Sequence, residues 1–156
     1  MKPQELVAAA VERKAMIATA ESCTGGMVAA AITDIAGSSA VFDRGFVTYS
    51  NAAKTAMLGV APALLEVHGA VSAEVARAMA QGALAHSLAT LAVSITGIAG
   101  PNGGTPTKPV GLVHFACAVR GGDIRQEMIV FKGDRASIRA AARDHAIQML
   151  GIALIG

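Results

Sequence analysis

Two candidate nucleophiles, Ser22 and Cys23, stand side by side near the N-terminal end of the chain. They follow an apolar run that predicts a buried strand over 16–21, and they precede a double glycine and an alanine-rich run that predicts a helix over 27–35. A helix N-terminus favours negative charge, whether a phosphate or the oxyanion of an acyl transfer. Successive side chains of an extended chain point to opposite faces, so only one of the two nucleophiles is expected to face such a site. The alternative is that Ser22 or Thr24 simply caps the helix.

A second polar group, over 48–54, contains a lysine in an unusual position. A short helix is predicted from Asn51 to Leu58, so Lys54 falls in its first turn, where a cation opposes the helix dipole. The positive helix end lowers the pKa of such a lysine, and its neutral form can then activate a hydroxyl nucleophile. Tyr49, the only tyrosine of the chain, belongs to the same group. The alternative is a solvated surface lysine.

Two further segments have the composition of a binding site. The loop over 97–109 follows a predicted buried strand over 91–96 and is rich in glycine and proline, which lets a ligand approach the backbone. It is too apolar for disorder, and it matches neither a phosphate-binding P-loop nor a dinucleotide fingerprint. Arg135, beside the last predicted helix, is able to grip a phosphate with two N–H groups. The alternatives are a structural loop and an exposed arginine that follows an Asp134 cap.

Composition excludes several classes of function. The net charge is +2 with acids and bases interspersed, and only 3% of the residues are aromatic, so no nucleic-acid-binding surface is expected. The four histidines, two cysteines and scattered acids show no metal-ligand spacing, and we expect neither a metal nor a cofactor. No apolar run reaches membrane-spanning length and no signal peptide is recognisable, so a cytoplasmic protein with two reduced cysteines is expected.

The order of the predicted elements favours an α/β fold. Helices are predicted over 4–13, 27–35, 51–58, 62–68, 73–88 and 136–150, and strands over 16–21, 45–50, 91–96, 110–119 and 124–131. This order requires crossover connections between parallel strands and one hairpin, whose turn is Arg120–Asp123. There is no internal repeat and no linker. We predict one domain over residues 1–156, a three-layer α/β/α sandwich with a mixed central sheet.

Taken together, these segments resemble the C-terminal domain family of the competence-damage-inducible protein CinA, which includes free-standing bacterial members. The matching segments follow the family's order over nearly the whole chain, at 20–26, 36–39, 45–51 with Lys54, 69–72, 94–101, 108–111 and 133–135. The resemblance implies deamidation of nicotinamide mononucleotide (NMN) to nicotinate mononucleotide and ammonia, in the recycling of NAD. It also implies a metal-free serine mechanism, a three-layer α/β fold and a homodimer.

The resemblance assigns hypothetical roles to the candidate residues. Ser22 attacks the carboxamide carbon, and Lys54 takes its proton, directly or through Tyr49 or Ser39. The backbone N–H groups that hold the oxyanion are those of Thr24, Gly25 and Gly26. The remaining contacts to the nucleotide are assigned to Thr96, Gly97, Gly100 and, for the phosphate, Arg135.

Three alternatives stay open at this point. Cys23 is the rival nucleophile. The domain could instead be a non-catalytic module of the same fold that binds a nucleotide or a partner protein. It could also be an amidase that acts on another small amide, since the fold and the nucleophile would be the same.

Overall fold

A five-stranded mixed sheet forms the centre of the computed structural model, which describes all 156 residues. Its strands are β1 (Ile17–Glu21), β2 (Phe42–Val47), β3 (Leu91–Gly97), β4 (Leu112–Val119) and β5 (Ile124–Val130). Their order across the sheet is β2-β1-β3-β4-β5. Strand β1 is parallel to both neighbours, whereas β4 is antiparallel to β3 and β5. The predicted mixed sheet and its hairpin are confirmed.

Six α-helices cover the two faces of this sheet. They are α1 (Pro3–Glu12), α2 (Met27–Thr33), α3 (Asn51–Leu58), α4 (Pro62–His68), α5 (Ala73–Ala85) and α6 (Arg135–Ile155). Helices α1, α2 and α6 pack on one face over the larger hydrophobic core, and α3, α4 and α5 pack on the other face. The predicted three-layer α/β/α sandwich is therefore confirmed. None of the helices combines the length and the apolar character that crossing a membrane requires.

Strand β1 is buried along its whole length and contributes to both cores. Ile17 packs with α1, α2 and α6, whereas Ala18 and Ala20 pack with the helices of the opposite layer. A strand covered on both faces needs a continuous apolar run rather than an alternating one, which is why the sequence pattern identified it. The end of this strand consequently lies deep in the molecule, between the two helical layers.

The predicted bounds of β2 are wrong. The strand covers Phe42–Val47 rather than 45–50, with Gly45 in its interior. A Cβ atom at Gly45 would lie 2.8 Å from Thr19 Oγ1 of the neighbouring strand. The glycine therefore allows the two strands to pack closely and is not the first residue of β2.

The predicted end of the last helix is also wrong. Helix α6 was expected to stop at Leu150 but continues to Ile155 through Gly151, which is buried where a side chain would clash with Met1. The bounds of α3 and α4 agree with the prediction, and the other bounds agree or differ by one to three residues, with the largest difference at the end of α5.

Candidate active site

A cavity opens where the carboxyl ends of β1 and β3 lie side by side. It encloses about 190 Å³ and is lined by Ser22, Cys23, Tyr49, Asn51, Lys54, Ala70, Val71, Thr96, Gly97, Ala99 and Arg135. Three larger grooves, of about 540, 530 and 240 Å³, lie between α3 and α4, beside α6 and beside β5, and none of them includes Ser22 or Lys54. Ligands of α/β proteins bind at the carboxyl ends of strands, so the smallest cavity is the candidate active site.

Ser22 and Lys54 form a direct hydrogen bond at the bottom of this cavity. The distance between Lys54 Nζ and Ser22 Oγ is 3.0 Å, and Nζ also donates to the Thr48 carbonyl at 2.9 Å. Lys54 is 1% exposed and forms no salt bridge. Burial lowers the pKa of Lys54 from its ordinary value of 10.5, because the charged amine is poorly solvated there. A solvated surface lysine is therefore the wrong interpretation.

The start of α3 brings Lys54 to Ser22. The chain leaves β2 through Thr48, whose N–H donates to the Glu21 carbonyl at 2.8 Å and so keeps this segment beside the end of β1. Ser50 then caps α3, because its hydroxyl accepts from the N–H of Ala53 at 3.0 Å. Lys54 lies one turn into the helix and reaches back to the nucleophile. The predicted helix is confirmed, and its N-cap is Ser50.

Cys23 occupies a different environment from Ser22. Its thiol packs into the larger core and is 5% exposed, although the residue also borders the cavity. Burial raises the pKa of Cys23 to about 11, which keeps it a neutral and weakly nucleophilic thiol. Of the two neighbouring candidates, only Ser22 is hydrogen-bonded to Lys54, and the geometry favours it as the candidate nucleophile.

The N-terminus of α2 is not available to an external anion. The carboxylate of Glu21 is completely buried and accepts hydrogen bonds from the N–H groups of Val28 at 2.9 Å and Ala29 at 3.1 Å. No side chain of the turn caps the helix. The expectation that this helix end binds a ligand is therefore wrong, because the chain's own carboxylate occupies it. The alternative of a Ser22 or Thr24 cap is wrong as well.

The turn that follows Ser22 differs from the predicted oxyanion hole in one donor. Gly25 has a positive φ of 57°, and its N–H donates to the Ser22 carbonyl at 3.0 Å, so it is not free for an oxyanion. The N–H groups of Thr24 and Gly26 donate to no protein group, and neither does that of Cys23. Two of the three predicted donors, the N–H groups of Thr24 and Gly26, therefore remain free, although neither residue lines the cavity. The free N–H of Cys23, a residue that does line the cavity, is a donor outside the predicted set.

A second cluster joins three segments at the mouth of the cavity. Arg135 Nη1 donates to the Gly100 carbonyl at 2.8 Å, and Nη2 donates to the Tyr49 hydroxyl at 3.0 Å. Tyr49 is 62% exposed and forms no hydrogen bond with the nucleophile or the base. Ser39 is exposed in a short 3₁₀ turn and does not line the cavity. The structure therefore contains no hydrogen-bonded relay through Tyr49 or Ser39, and Ser22 and Lys54 contact each other directly.

The end of β3 forms the opposite wall. Thr96 Oγ1 donates to the Ala70 carbonyl at 2.8 Å, which holds the segment before α5 against the strand. The glycine-rich loop that follows is anchored by Lys108, whose Nζ donates to the His68 carbonyl at 2.6 Å. Gly97 lines the cavity, whereas Gly100 contributes through its carbonyl group to the Arg135 cluster. No group of three or more His, Cys, Asp or Glu side chains is arranged to hold a metal.

Arg139 contacts the nucleophile turn from α6. Its Nε donates to the Cys23 carbonyl at 2.9 Å, and its Nη2 is 3.3 Å from the Thr24 carbonyl. Arg139 does not line the cavity, so it holds the turn from the side away from a ligand.

Comparisons with known proteins agree with this architecture. The sequence model of the CinA C-terminal domain matches residues 2–154. The chain belongs to the CinA C-terminal domain family. A CinA-like protein of Akkermansia muciniphila is 55% identical over 83% of this chain but only 31% of its own length. The nicotinamide-nucleotide amidohydrolase PncC of Escherichia coli K12 is 56% identical over 88% of this chain and 84% of its own length.

A solved structure of the same family confirms the fold. The competence/damage inducible protein CihA of Agrobacterium tumefaciens is 50% identical, with a TM-score of 0.92 over 99% of this chain and 96% of that one. The longer CinA relatives contain additional sequence, since this chain spans 31–38% of the length of three of them.

Three site residues of this CinA-family domain had no predicted role. Arg139 lies four positions after Arg135, a spacing that places two residues on the same face of a helix and could have identified it. Glu21 directly precedes the turn into α2, where an acid favours the helix end. Asn51 lines the cavity because it is the first residue of α3, a placement that depends on the tertiary structure.

Proposed function

We propose that this protein hydrolyses the carboxamide of NMN to nicotinate mononucleotide and ammonia, with Ser22 as nucleophile and Lys54 as general base. The carrying observation is the buried hydrogen bond between these two side chains, in which the lysine forms no salt bridge that would hold it in its charged form. The choice of substrate is supported by the relative PncC, whose name describes a nicotinamide-nucleotide amidohydrolase and which is 56% identical.

The hydrogen bonds of Lys54 suit its proposed role as a base. A neutral amine has two N–H donors and one lone pair. One N–H donates to the Thr48 carbonyl, which leaves the lone pair available to the Ser22 hydroxyl. A positioned base of this kind accelerates proton transfer by roughly 10²–10⁴-fold.

The proposed reaction then proceeds in two steps, formation of an ester at Ser22 and its hydrolysis. The Ser22 proton moves to Lys54 Nζ as Oγ bonds to the carboxamide carbon, and the carbonyl oxygen becomes an oxyanion. When the carbon–nitrogen bond breaks, Nζ returns the proton to the leaving group, which departs as ammonia. Water attacks the resulting ester while Nζ takes its proton, and the nicotinate product leaves as Ser22 regains its hydroxyl hydrogen.

The proposed binding roles follow the charges and free donors around the cavity. No acidic side chain lines it, whereas Lys54 and Arg135 do, which favours a ligand with an anionic group. Arg135 is the proposed phosphate contact, and exposed Tyr49 beside it is a proposed contact to the substrate rather than a relay. The oxyanion donors are proposed among the free N–H groups of Cys23, Thr24 and Gly26. Thr96 and Gly97 are proposed to form the wall of the site.

The test is turnover of NMN by the purified wild type in the presence of a chelator, with ammonia and nicotinate mononucleotide measured together. Ser22→Ala is expected to abolish the release of both products, and Cys23→Ala, as the matched control, is expected to retain it. Retained activity in Ser22→Ala with lost activity in Cys23→Ala would reverse the assignment of the nucleophile.

Substrate comparison separates the remaining alternatives. Nicotinamide riboside, which lacks the phosphate, is expected to be hydrolysed far more slowly than NMN. Faster hydrolysis of an unphosphorylated amide would indicate an amidase with another substrate. Thermal stabilisation by NMN without any turnover would indicate a non-catalytic binding module.

We also propose a homodimer in the cytoplasm. Support for a second copy comes from β5, an edge strand on which Met128 and Val130 are exposed, since such an edge is able to pair with another chain. Light scattering after size-exclusion chromatography measures the mass directly, and a mass of one chain would contradict the dimer.

A further inference from the structure

The contacts of Arg139 are unusual for a charged side chain. Arg139 is half-buried and forms no salt bridge, and its guanidinium donates to the carbonyls of Cys23 and Thr24. Both carbonyls belong to the turn that follows the proposed nucleophile. By contrast, Arg143, one turn further along α6, pairs with its neighbour Asp144 near the surface.

These contacts determine the direction of one amide group in the turn. In a trans peptide unit, the C=O of one residue and the N–H of the next point in opposite directions. Because Arg139 holds the Cys23 carbonyl on its own side, the N–H of Thr24 points away from Arg139. The remaining peptide units are also restrained, since the Ser22 carbonyl accepts from Gly25 and the Thr24 carbonyl contacts Arg139.

The N–H groups of Cys23 and Thr24 lack partners although both residues are buried. Cys23 is 5% exposed and Thr24 is fully buried, and neither N–H donates to a protein group. Of the two residues, only Cys23 lines the cavity. N–H groups without a partner are rare in folded proteins, so the free N–H of Cys23 beside Ser22 requires an explanation. A ligand oxygen that forms only during the reaction provides one.

We propose that Arg139 is a positioning residue that holds the nucleophile turn so that the N–H of Cys23, which lines the cavity, receives the oxyanion formed at Ser22. Arg139 holds the Thr24 carbonyl, and the Gly25 N–H of the same peptide unit holds the Ser22 carbonyl. The Cys23 N–H lies on the opposite side of that second peptide unit, so its direction follows from these contacts. The inference rests on the proposed role of Ser22 as nucleophile. It differs from simple packing of α6, because it predicts a defect in the reaction and not only in stability.

The test compares Arg139→Ala and Arg139→Lys with the matched control Arg143→Ala. Two rates are measured: kcat for NMN, and the labelling of Ser22 by a fluorophosphonate, whose phosphonyl oxygen needs the same donors but no nucleotide. We expect Arg139→Ala to lower both rates by roughly 10²–10³-fold, the size of effect seen for lost oxyanion donors, with KM nearly unchanged. Arg143→Ala should leave both rates unchanged.

Chemical rescue provides the readout that a purely structural role would not change. Guanidinium ions at millimolar concentration should restore part of both rates in Arg139→Ala, because they fit the space left by the side chain, and methylammonium should not. If Arg139→Ala does not fold, Arg139→Lys keeps the charge and one donor and should lower kcat at an unchanged melting temperature.

The outcomes separate this inference from the proposed function. Wild-type protein that is labelled but does not hydrolyse NMN would contradict the substrate, and labelling of the Arg139 variants would still decide the present inference. Three results would each overturn it. Arg139→Ala is labelled at the wild-type rate, guanidinium does not restore the rates that Arg139→Ala has lost, or the wild type is not labelled at all.

Discussion

Glu21 and Lys54 are both completely buried near the end of β1, but their surroundings differ. Glu21 accepts hydrogen bonds from two N–H groups at the start of α2, which suit a carboxylate. Lys54 contacts only a hydroxyl and a carbonyl, and burial lowers its pKa. Equal burial therefore has different consequences for the two side chains: Glu21 is fixed by hydrogen bonds from α2, whereas the lowered pKa of Lys54 suits its proposed role as a base.

The largest expected effect is on catalysis and tests the lysine side of this comparison. Lys54→Met should lower kcat for NMN by roughly 10²–10⁴-fold, because the base that takes the Ser22 proton is lost. Release of ammonia measures the rate. The exposed Lys132 supplies a control, since Lys132→Met removes an amine away from the cavity and should be fully active. An active Lys54→Met variant would contradict the proposed base.

The second prediction concerns the structural role of Glu21. Glu21→Gln should lower the free energy of unfolding by about 2 kcal/mol, since hydrogen bonds to a charged acceptor are lost and the new NH₂ group faces N–H donors. Urea denaturation measures the change. Glu66→Gln, at an exposed acid with no hydrogen-bond partner, is the matched control and should be neutral. Equal stability of both variants would mean that the bonds from α2 do not depend on charge.

The third prediction is the pH dependence of the wild-type rate. Lys54 acts as a base only when neutral, so kcat should fall by about tenfold per pH unit below its folded-state pKa. That pKa lies below 10.5 because burial disfavours the charged amine. A pH profile between 5 and 10 measures it, and the acid limb should disappear in Lys54→Met. An identical limb in that variant would assign the titration to another group.

The smallest expected effect is a gain in stability. Lys54→Met should raise the free energy of unfolding by about 1 kcal/mol at pH 7, because the side chain no longer brings an amine into apolar surroundings. In the wild type, the unfolded state binds more protons than the folded state at pH values between the lowered pKa of Lys54 and 10.5. The free energy of unfolding of the wild type therefore rises with pH in this range. The advantage of methionine should therefore shrink toward pH 10. Thermal unfolding at pH 7 and pH 9.5 measures both, and a constant difference would contradict burial of a titrating amine.

Much of the fold could be predicted because its signals are local. The apolar run of β1 and the cap and stop residues of α3 lie within each element, and the structure confirms both elements. The predicted start of a strand at Gly45 and the predicted end of a helix before Gly151 are both wrong. Each glycine instead allows another part of the molecule to approach closely, which a single sequence does not reveal.

The site was predictable as a set of residues but not as a geometry. Ser22 and Lys54 were candidates by type and by position after a strand or in a first turn. Their contact depends on β2 lying beside β1, a pairing that the sequence does not specify. The proposed role of Arg139 depends on a contact between residues more than 100 positions apart in the sequence. The hydrogen bonds from the N-terminus of α2 to Glu21 depend on the path of the intervening turn.

The turn between β4 and β5 offers a place for chemical attachment. Gly97, which lines the cavity, pairs with Val113 near the start of β4. The turn that follows β4 therefore lies at the opposite end of the strands from the cavity. Both native cysteines are buried, and burial raises the pKa of Cys23 to about 11 and of Cys117 to about 12. A single new thiol at the exposed Asp123, as in Asp123→Cys, would therefore react selectively with a maleimide dye or a coated surface and leave the cavity facing outward.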